Sequence, residues 1–184
     1  MEFIAPDPKA LVRSENVKAT LDAFQLVPSA GRLLLEKHQL VLADEYVLVQ
    51  RWLDALKELG AARGAQMLRR VGAAIIEKAI FPPSLSTVEA VLVSLDKIYY
   101  MNHRGDVGHY FIKVANNGII NVRCETPYPR MFEWGLIEGI CRNRAGVGGS
   151  HAVVFHDGPS GSQVSCEIEV VPAAAQQAQA GQRR

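Results

Sequence analysis

The sequence predicts an α+β fold in which a helical N-terminal half is followed by an antiparallel ββαββ unit. Three observations lead to this prediction. The first half carries apolar residues at helical spacing, the second half has two alternating segments around an Asn-Gly turn, and a further pair of segments follows one amphipathic helix. Because short turns join antiparallel strands, two hairpins indicate an antiparallel sheet rather than a doubly wound one.

The composition is that of an ordinary globular chain. Its 184 residues suit one domain, with 48% apolar and 21% charged residues. A formal net charge of +1 gives no reason to expect a nucleic-acid partner. No segment has the roughly 20 apolar residues that span a bilayer, and the N-terminus lacks a signal-peptide pattern. The three cysteines, too few for a disulfide framework, favour a reduced, cytoplasmic location.

Three regions are expected along the chain. Residues 1–44 form an N-terminal helical or irregular segment, residues 45–171 form an α+β domain of ligand-binding type, and residues 172–184 form a disordered tail rich in Ala and Gln. Within the first region, the spacing of apolar residues predicts a helix over 14–26 that Pro28 stops. Residues 32–42 fit a helix or a strand equally well.

Three helices are predicted next. Apolar side chains at helical spacing predict helices over 45–59, ending at Gly60, and over 65–79. The run Ser-Thr-Val-Glu at 86–89 predicts a capping box, in which the Ser and Glu side chains bind free backbone N–H groups. This box begins a third helix that should end near Asn102.

The ββαββ unit follows. Asn117-Gly118 predicts a tight hairpin turn in which both residues have positive φ. A helix over 130–144, with an apolar inner side, separates this hairpin from the second one. The strands are predicted over 109–115, 119–125, 150–156 and 163–171.

Short motifs in this half resemble a known superfamily. They are Tyr-Tyr-Met-Asn-His-Arg-Gly at 99–105, Cys-Glu-Thr-Pro-Tyr-Pro at 124–129, Gly-Leu-Ile-Glu-Gly at 135–139 and Cys-Glu-Ile-Glu-Val at 166–170. The pattern resembles bacterial small proteins of the superfamily that contains 4-vinyl-reductase-type domains, haem–nitric-oxide-binding domains and the TRAPP trafficking subunits. The resemblance implies a receptor for a small hydrophobic ligand. Such a receptor domain often controls a partner protein.

No resident cofactor is expected, with haem and zinc left open by the resemblance. Zinc-binding members cluster several cysteines near the final hairpin, where this chain has only Cys166. Haem-binding members carry a Y-x-S-x-R element, which is absent here, and a proximal histidine on a helix. The chain has no CxxC and no HExxH, and His151 and His156 should face opposite sides of one strand.

A ligand pocket is expected between the 130–144 helix, the first hairpin and the helix that ends near Asn102. Apolar side chains with a few convergent polar groups are typical of such sites. The candidate residues are Tyr99, Asn102, His103, His109, Tyr110, Cys124, Tyr128, Phe132 and Glu138, with Ile112 and Leu136 beside them. A packed core, a helix C-cap at 102–105 and a plain buried thiol at Cys124 are the alternative interpretations. Gly135 and Gly139 would allow a strand or a ligand to approach the helix closely.

Three functions stay open at this point. The first is a non-enzymatic sensor or regulatory module that binds a small hydrophobic molecule. The second is a scaffolding protein of the same fold that binds a partner protein. The third is a small enzyme with His103, His109 and Glu138 as acid–base groups, although no residue is assigned a catalytic role. A homodimer is also expected, because helices 45–59 and 65–79 have apolar faces that the ββαββ unit cannot all cover.

Overall fold

The structure is a computed structural model that describes residues 3–22, 28–144, 151–157 and 165–176. The described part of the chain is an α+β protein with two antiparallel sheets, as the sequence predicts. In chain order its elements are β1 (Leu11–Arg13), α1 (Ser14–Asp22), α2 (Pro28–Lys37), β2 (Tyr46–Leu48), α3 (Val49–Arg63), α4 (Ala65–Lys78), α5 (Val88–Val93), α6 (Leu95–Met101), β3 (His103–Arg104), β4 (His109–Val114), β5 (Ile120–Glu125), α7 (Arg130–Arg144), β6 (His151–Asp157) and β7 (Ser165–Pro172).

The N-terminal half contains a small sheet that the sequence did not predict. Strand β1 lies between β2 and β3 and pairs with both in antiparallel register. Val12 at its centre is buried, and it faces Val47 of β2 and His103 of β3. Each of these strands has two or three residues, too few for an alternating pattern to be recognised. The sheet ties the start of the chain to the segment after α6.

Several helix boundaries differ from the prediction. The helix predicted over 14–26 is α1 as far as Asp22, and residues 23–27 lie outside the described residues. Pro28 begins α2, where its missing N–H costs nothing, and the ambiguous run at 32–42 is helical as far as Lys37. None of the described helices is long and apolar enough to cross a bilayer.

The helix predicted over 45–59 begins and ends later than expected. Tyr46–Leu48 is strand β2, and α3 runs from Val49 through Gly60 to Arg63. A glycine in a helix interior costs only about 1 kcal/mol, which the buried face of α3 offsets. The helix ends at Gly64, whose N–H donates to the carbonyl of Gly60.

The helix predicted after residue 86 is two short helices. The N-cap is Thr87 rather than Ser86, and its Oγ1 accepts a hydrogen bond of 3.1 Å from the N–H of Ala90. Ser94 separates α5 from α6, which ends at Met101 as expected. Leu95 and Tyr99, four residues apart on α6, share one face of that helix and are both buried.

The ββαββ unit is confirmed in order and type. The four strands form a sheet in the order β4-β5-β7-β6, and α7 connects β5 to β6. The first hairpin has a three-residue loop rather than the predicted two-residue turn. Only Gly118 in it has positive φ, at 79°, and Ala115 pairs with Ile119 on either side. A left-handed glycine at the third loop position is typical of the common three-residue hairpin loop.

Helices α4 and α7 cross in close contact at glycines. A Cβ at Gly135 would overlap the carbonyl oxygen of Arg69, and a Cβ at Gly72 would overlap that of Phe132. At Gly139 it would lie 2.9 Å from Cβ of Ile76. The expectation that a strand or ligand approaches Gly135 and Gly139 is therefore wrong, because a helix occupies the place.

This contact also bears on the expected dimer. The apolar face of α4 packs against α7 of the same chain, and the apolar residues of α3, such as Trp52 and Leu56, are in the core. The faces that suggested a dimer seam are thus covered within the chain. A homodimer stays a prediction.

We expect Gly135→Ala to destabilise the protein by at least about 2 kcal/mol, although alanine is the better helix former by about 1 kcal/mol. The added methyl group would force α7 away from the backbone of α4. Urea unfolding measures the change. Gly60→Ala is the matched control, because its Cβ would meet only the side-chain tip of Leu68 and should change stability little. Equal effects of the two substitutions would contradict the packing argument.

Candidate functional site

A cavity of about 570 Å³ lies between helices α1, α3, α4, α6 and α7. This volume is within the range of small-molecule sites, roughly 300–1,000 Å³. Most of its wall is apolar, and it includes Val12, Ala19, Trp52, Ile75, Ile76, Phe81, Leu85, Leu95, Ile98, Phe132, Leu136 and Ile140. Exposed residues, among them Glu15, Lys78, Ile80 and Met101, surround its mouth. The arrangement can hold a compact apolar molecule away from water.

One side of the cavity is built from five rings, Tyr99, His103, Tyr110, Tyr128 and Phe132, which we call the aromatic wall. All five residues are buried. The ring of Tyr99 lies 4.1 Å from that of His103 and meets Tyr110 edge-on at 5.1 Å. Tyr128 stacks on Phe132 at 4.9 Å. Such offset and edge-on contacts fix the rings relative to one another.

A chain of hydrogen bonds connects the polar atoms of this wall. His103 Nδ1 lies 2.8 Å from the carbonyl oxygen of Tyr99, and its Nε2 lies 2.8 Å from the hydroxyl of Tyr128. The hydroxyl of Tyr99 donates to the carbonyl of Val107 at 2.7 Å. Burial lowers the pKa of His103 to about 4, so the imidazole is neutral at physiological pH.

Behind the wall lies a carboxyl group that the sequence reasoning missed. Glu133 is fully buried on α7 and accepts hydrogen bonds from the hydroxyls of Thr126 and Tyr110, the latter at 2.6 Å. Burial raises the pKa of Glu133 to about 7, and the two hydrogen bonds oppose that rise only in part. The available signal was a glutamate one position after the apolar Phe132 of a helix, which is common on helix surfaces. Nothing in the sequence marked it as buried.

Six of the nine candidate pocket residues lie on the cavity: Tyr99, Asn102, His103, Tyr110, Tyr128 and Phe132. Leu136 lines it as well, whereas Ile112 does not. Asn102 also takes the helix-capping role given as its alternative, since its Nδ2 donates to the carbonyl of Ile98 at 2.8 Å. The placement makes these residues a candidate site, and their role in binding stays a prediction.

His109 and Glu138 are elsewhere. The ring of His109 is on the surface, 3.3 Å from a carboxylate oxygen of Asp96 and 3.3 Å from the hydroxyl of Tyr100. Glu138 forms a two-pronged ion pair with Arg69 across the α4–α7 contact, with 2.7 Å between Arg69 Nε and Glu138 Oε2. The alternation of β4 turns His109 outward, and the helical period of α7 turns Glu138 toward α4 rather than toward the cavity.

Cys124 is also outside the cavity lining. It is fully buried on β5, directly opposite Cys166 of β7, in agreement with the interpretation of a small buried hydrophobe. The hydrogen bond to the Cys166 thiol, together with burial, raises the pKa of the Cys124 thiol well above its usual range. Its thiolate is therefore strongly disfavoured. Within the described residues, no three His, Cys, Asp or Glu side chains are grouped as metal ligands would be.

The N-terminal half supplies much of the wall that the sequence did not predict. Ala19 of α1, Trp52 of α3 and the segment around Phe81 all line the cavity. These residues are apolar positions on amphipathic helices or in a Pro-rich connection. Their sequence pattern is the same as that of core residues, so only the packing of the two halves distinguishes them.

No protein-family model matches this sequence, and no curated protein matches it. Similarity to solved structures is clear. An H-NOX protein from Shewanella oneidensis, solved in the Fe(II)NO ligation state, matches with a TM-score of 0.62 and 12% identity, over 87% of this chain and 98% of its own. An oxygen-binding H-NOX domain related to soluble guanylate cyclases, solved as the oxygen complex, matches with a TM-score of 0.60 and 14% identity, over 86% and 92%.

This chain has the fold of an H-NOX domain. A third similar structure, from work on how porphyrin distortion by the protein modulates haem redox potential, has a TM-score of 0.58 and 14% identity, over 86% of this chain and 99% of its own. The haem–nitric-oxide-binding part of the resemblance seen in the sequence is thus supported at the level of fold. The 4-vinyl-reductase and TRAPP parts have no support from these structures.

The described lining does not fit haem as it is arranged. Haem iron needs an axial ligand such as a histidine nitrogen, a thiolate or a phenolate. His103 is the one histidine among the described lining residues, and both of its ring nitrogens are hydrogen-bonded. Burial raises the pKa of Tyr99, Tyr110 and Tyr128, so a phenolate is disfavoured, and the thioether of Met101 is exposed at the mouth. An iron ligand would require Tyr128 to release His103.

Glu133 makes stability depend on pH. Its pKa is about 7 in the folded chain and about 4.5 when unfolded, so the folded state holds the proton more tightly. The free energy of unfolding therefore falls as the pH rises through this window, by roughly 3 kcal/mol at about 1.4 kcal/mol per pKa unit. We expect Glu133→Gln to remove this loss, as measured by urea unfolding between about pH 5 and about pH 8.

Two features make this measurement specific to Glu133. His103, with its lowered pKa, contributes the opposite slope below about pH 6.5 in both proteins, so the difference between them isolates Glu133. Glu138→Gln, which changes a carboxyl on the same helix outside the cavity, should keep the slope. If wild type and Glu133→Gln had the same pH dependence, the buried carboxyl would not be the group that titrates.

Proposed function

We propose that this chain is a ligand-binding sensor domain that holds a small, mostly apolar molecule in the cavity beside the aromatic wall. The observation that supports this proposal most strongly is the cavity itself. It has the volume of a small-molecule site, an apolar lining and a few fixed polar groups on one side. The same proposal includes the six candidate residues on the cavity as binding residues.

The position of the cavity supports a sensor domain rather than a protein that only stores its ligand. It lies against both α4 and α7, so a bound molecule contacts Ile75 and Ile76 on one helix and Leu136 and Ile140 on the other. The backbones of these helices are in contact at glycines, so no side chain between them at these positions can change its conformation to accommodate a displacement. A molecule that moves one helix therefore moves the other. A partner protein that reads this movement would complete the sensor.

The enzyme alternative is less well supported. The three acid–base candidates are not brought together, since His103 is on the cavity, His109 is on the surface and Glu138 pairs with Arg69. The neutral His103 uses one nitrogen as a donor and the other as an acceptor within the protein. The scaffolding alternative would leave the cavity without a role.

We expect Ala19→Trp to abolish binding of N-phenylnaphthylamine, a neutral apolar dye whose fluorescence rises in apolar sites. Ala19 is a buried lining residue of α1, and an indole there would fill part of the cavity. The wild type should bind the dye saturably at one site per chain. Fluorescence titration measures the affinity, and circular dichroism confirms that the variant is folded.

Ala62→Trp is the matched control. It adds the same side chain at an exposed position of α3, away from the cavity lining, and should leave dye binding unchanged. If the dye did not bind the wild type, or bound equally well to a folded Ala19→Trp, the proposed receptor function would be wrong.

The fold favours a second candidate, a haem-containing gas sensor, because the similar structures are H-NOX domains. His103 is the lining residue that would serve as the iron ligand in this case. Its engagement by Tyr128 argues against this candidate, as described above.

Added haem distinguishes the two candidates. We expect the wild type to develop no stoichiometric Soret band near 400 nm, whereas Tyr128→Phe, which frees His103 Nε2, should bind haem more tightly. His103→Ala in the Tyr128→Phe background is the control and should lose that gain. A stable one-to-one haem complex of the wild type would replace the apolar-ligand proposal with the gas-sensor one.

A further inference from the structure

We infer that the cavity selects uncharged ligands with a hydroxyl group, such as medium-chain or cyclic alcohols, over carboxylates of the same size. The basis is that the hydrogen-bond donors of the aromatic wall are already used within the protein, while the phenol oxygen of Tyr128 keeps a free lone pair, and a buried carboxyl lies behind Tyr110. This inference rests on the proposed function, because it specifies the ligand class of the same cavity.

The protonation of His103 follows from its partners. A carbonyl oxygen only accepts hydrogen bonds, so Nδ1, 2.8 Å from the carbonyl of Tyr99, carries the proton. Nε2 is then the acceptor, and the hydroxyl of Tyr128 at 2.8 Å donates to it. The lowered pKa of His103 agrees with a neutral ring. Neither the imidazole N–H nor the Tyr128 O–H is left for a ligand.

The other two hydroxyls of the wall are used in the same way. Tyr99 donates to the carbonyl of Val107 at 2.7 Å, and Tyr110 donates to the carboxyl of Glu133 at 2.6 Å. A phenol oxygen that donates its one hydrogen still has lone pairs that accept. The hydroxyls of Tyr99 and Tyr110 bond to groups outside the lining, whereas Tyr128 bonds to His103, which lines the cavity as well. The oxygen of Tyr128 can therefore accept a hydrogen bond from a ligand, but the wall has no hydroxyl or imidazole hydrogen to give.

Donors remain elsewhere on the lining. Asn16, Trp52 and Asn102 all line the cavity and carry side-chain N–H groups, and Nδ2 of Asn102 uses only one of its two hydrogens, in its bond to the carbonyl of Ile98. A ligand hydroxyl can donate to a phenol oxygen and accept from an N–H, whereas an ether oxygen can only accept. An alcohol thus matches both kinds of group, whereas a carboxylate can only accept from the N–H donors and has no hydrogen to give to the phenol oxygen.

Charge strengthens the preference. The buried carboxyl of Glu133 lies directly behind Tyr110, and its own pKa is raised by burial, which means that these surroundings disfavour even one negative charge. A second carboxylate nearby would add repulsion to its own desolvation cost. A neutral ligand avoids both effects.

The mouth gives a carboxylate little compensation. Its cations, Arg13 and Lys78, are accompanied by the carboxylate of Glu15, and Arg13 lies 3.6 Å from the carboxylate of Glu45. Ion pairs at such exposed positions contribute little, because solvent screens them. An acid that turned its carboxylate to the mouth would gain little and would still lose the hydroxyl contacts at the wall.

Three probes of equal chain length test the inference: decanol, decanoate and decyl methyl ether. Each competes with bound N-phenylnaphthylamine at about pH 8, where a carboxylic acid and Glu133 are both ionised. We expect decanol to bind at least about tenfold more tightly than decanoate, and more tightly than the ether. Decanoate affinity equal to or above that of decanol would overturn the inference. Equal affinity for decanol and the ether would overturn the hydroxyl requirement.

Failure of the inference is distinct from failure of the proposed function. If the dye binds and none of the three probes displaces it, the ligand class is wrong while the cavity still binds a ligand. If the dye itself does not bind, the receptor proposal fails first.

Two variants test the role of charge. Glu133→Gln should narrow the preference for decanol over decanoate, because it removes the negative charge behind Tyr110. Glu138→Gln, on the same helix but paired with Arg69 outside the cavity, should leave the preference unchanged. An unchanged preference in a folded Glu133→Gln would contradict the electrostatic argument. Dye affinity, which involves no charge, monitors the integrity of the cavity in both variants.

Discussion

Helices α4 and α7 approach so closely that the backbone of each meets the other at glycines. Gly72 faces the carbonyl of Phe132, and Gly135 faces that of Arg69. This contact fixes the side chains that both helices send to the cavity, Ile75 and Ile76 from one and Phe132 and Leu136 from the other. The Arg69–Glu138 ion pair spans the same contact. The shape of the cavity therefore depends on the absence of side chains at these positions.

The polar groups near the cavity are arranged so that the protein satisfies them itself. His103 forms hydrogen bonds with both Tyr99 and Tyr128. Glu133 accepts hydrogen bonds from the hydroxyls of Thr126 and Tyr110. An unsatisfied buried polar group costs about 1–3 kcal/mol, so such satisfaction stabilises the fold without any ligand. In the proposed receptor it also limits ligand recognition, because a wall whose donors are used inside the protein interacts with groups that the ligand donates.

The likeness to H-NOX domains concerns the fold, whereas the chemistry of the cavity concerns what it can bind. Fold similarity at 12–14% identity follows from the layout of helices and strands. Cofactor binding depends on individual atoms, and here the lining histidine is held on both nitrogens. The same fold can host different ligands, so function is argued from the site rather than from the fold.

Local signals explain why the second half was predicted well. The strands of the ββαββ unit alternate, Asn117-Gly118 marks the first hairpin, and Pro127 and Pro129 bound the start of α7, so each element is specified within its own few residues. The small sheet of β1, β2 and β3 was missed because strands of two or three residues have no recognisable period. The three-residue loop at Gly118 was missed because the same dipeptide suits two turn geometries.

The candidate site was likewise predicted only in part from the sequence. Tyr99, Tyr110, Tyr128 and Phe132 belong to neighbouring elements of the chain, so their convergence could be predicted from topology. The sequence by itself determined the order of elements, the inward faces of β5 and α7, and this group of aromatic residues. Only the tertiary structure decided that His109 and Glu138 point away, that Glu133 is buried, and that Trp52 and Ala19 close the cavity. These outcomes depend on contacts between residues far apart in the chain, which no local pattern encodes.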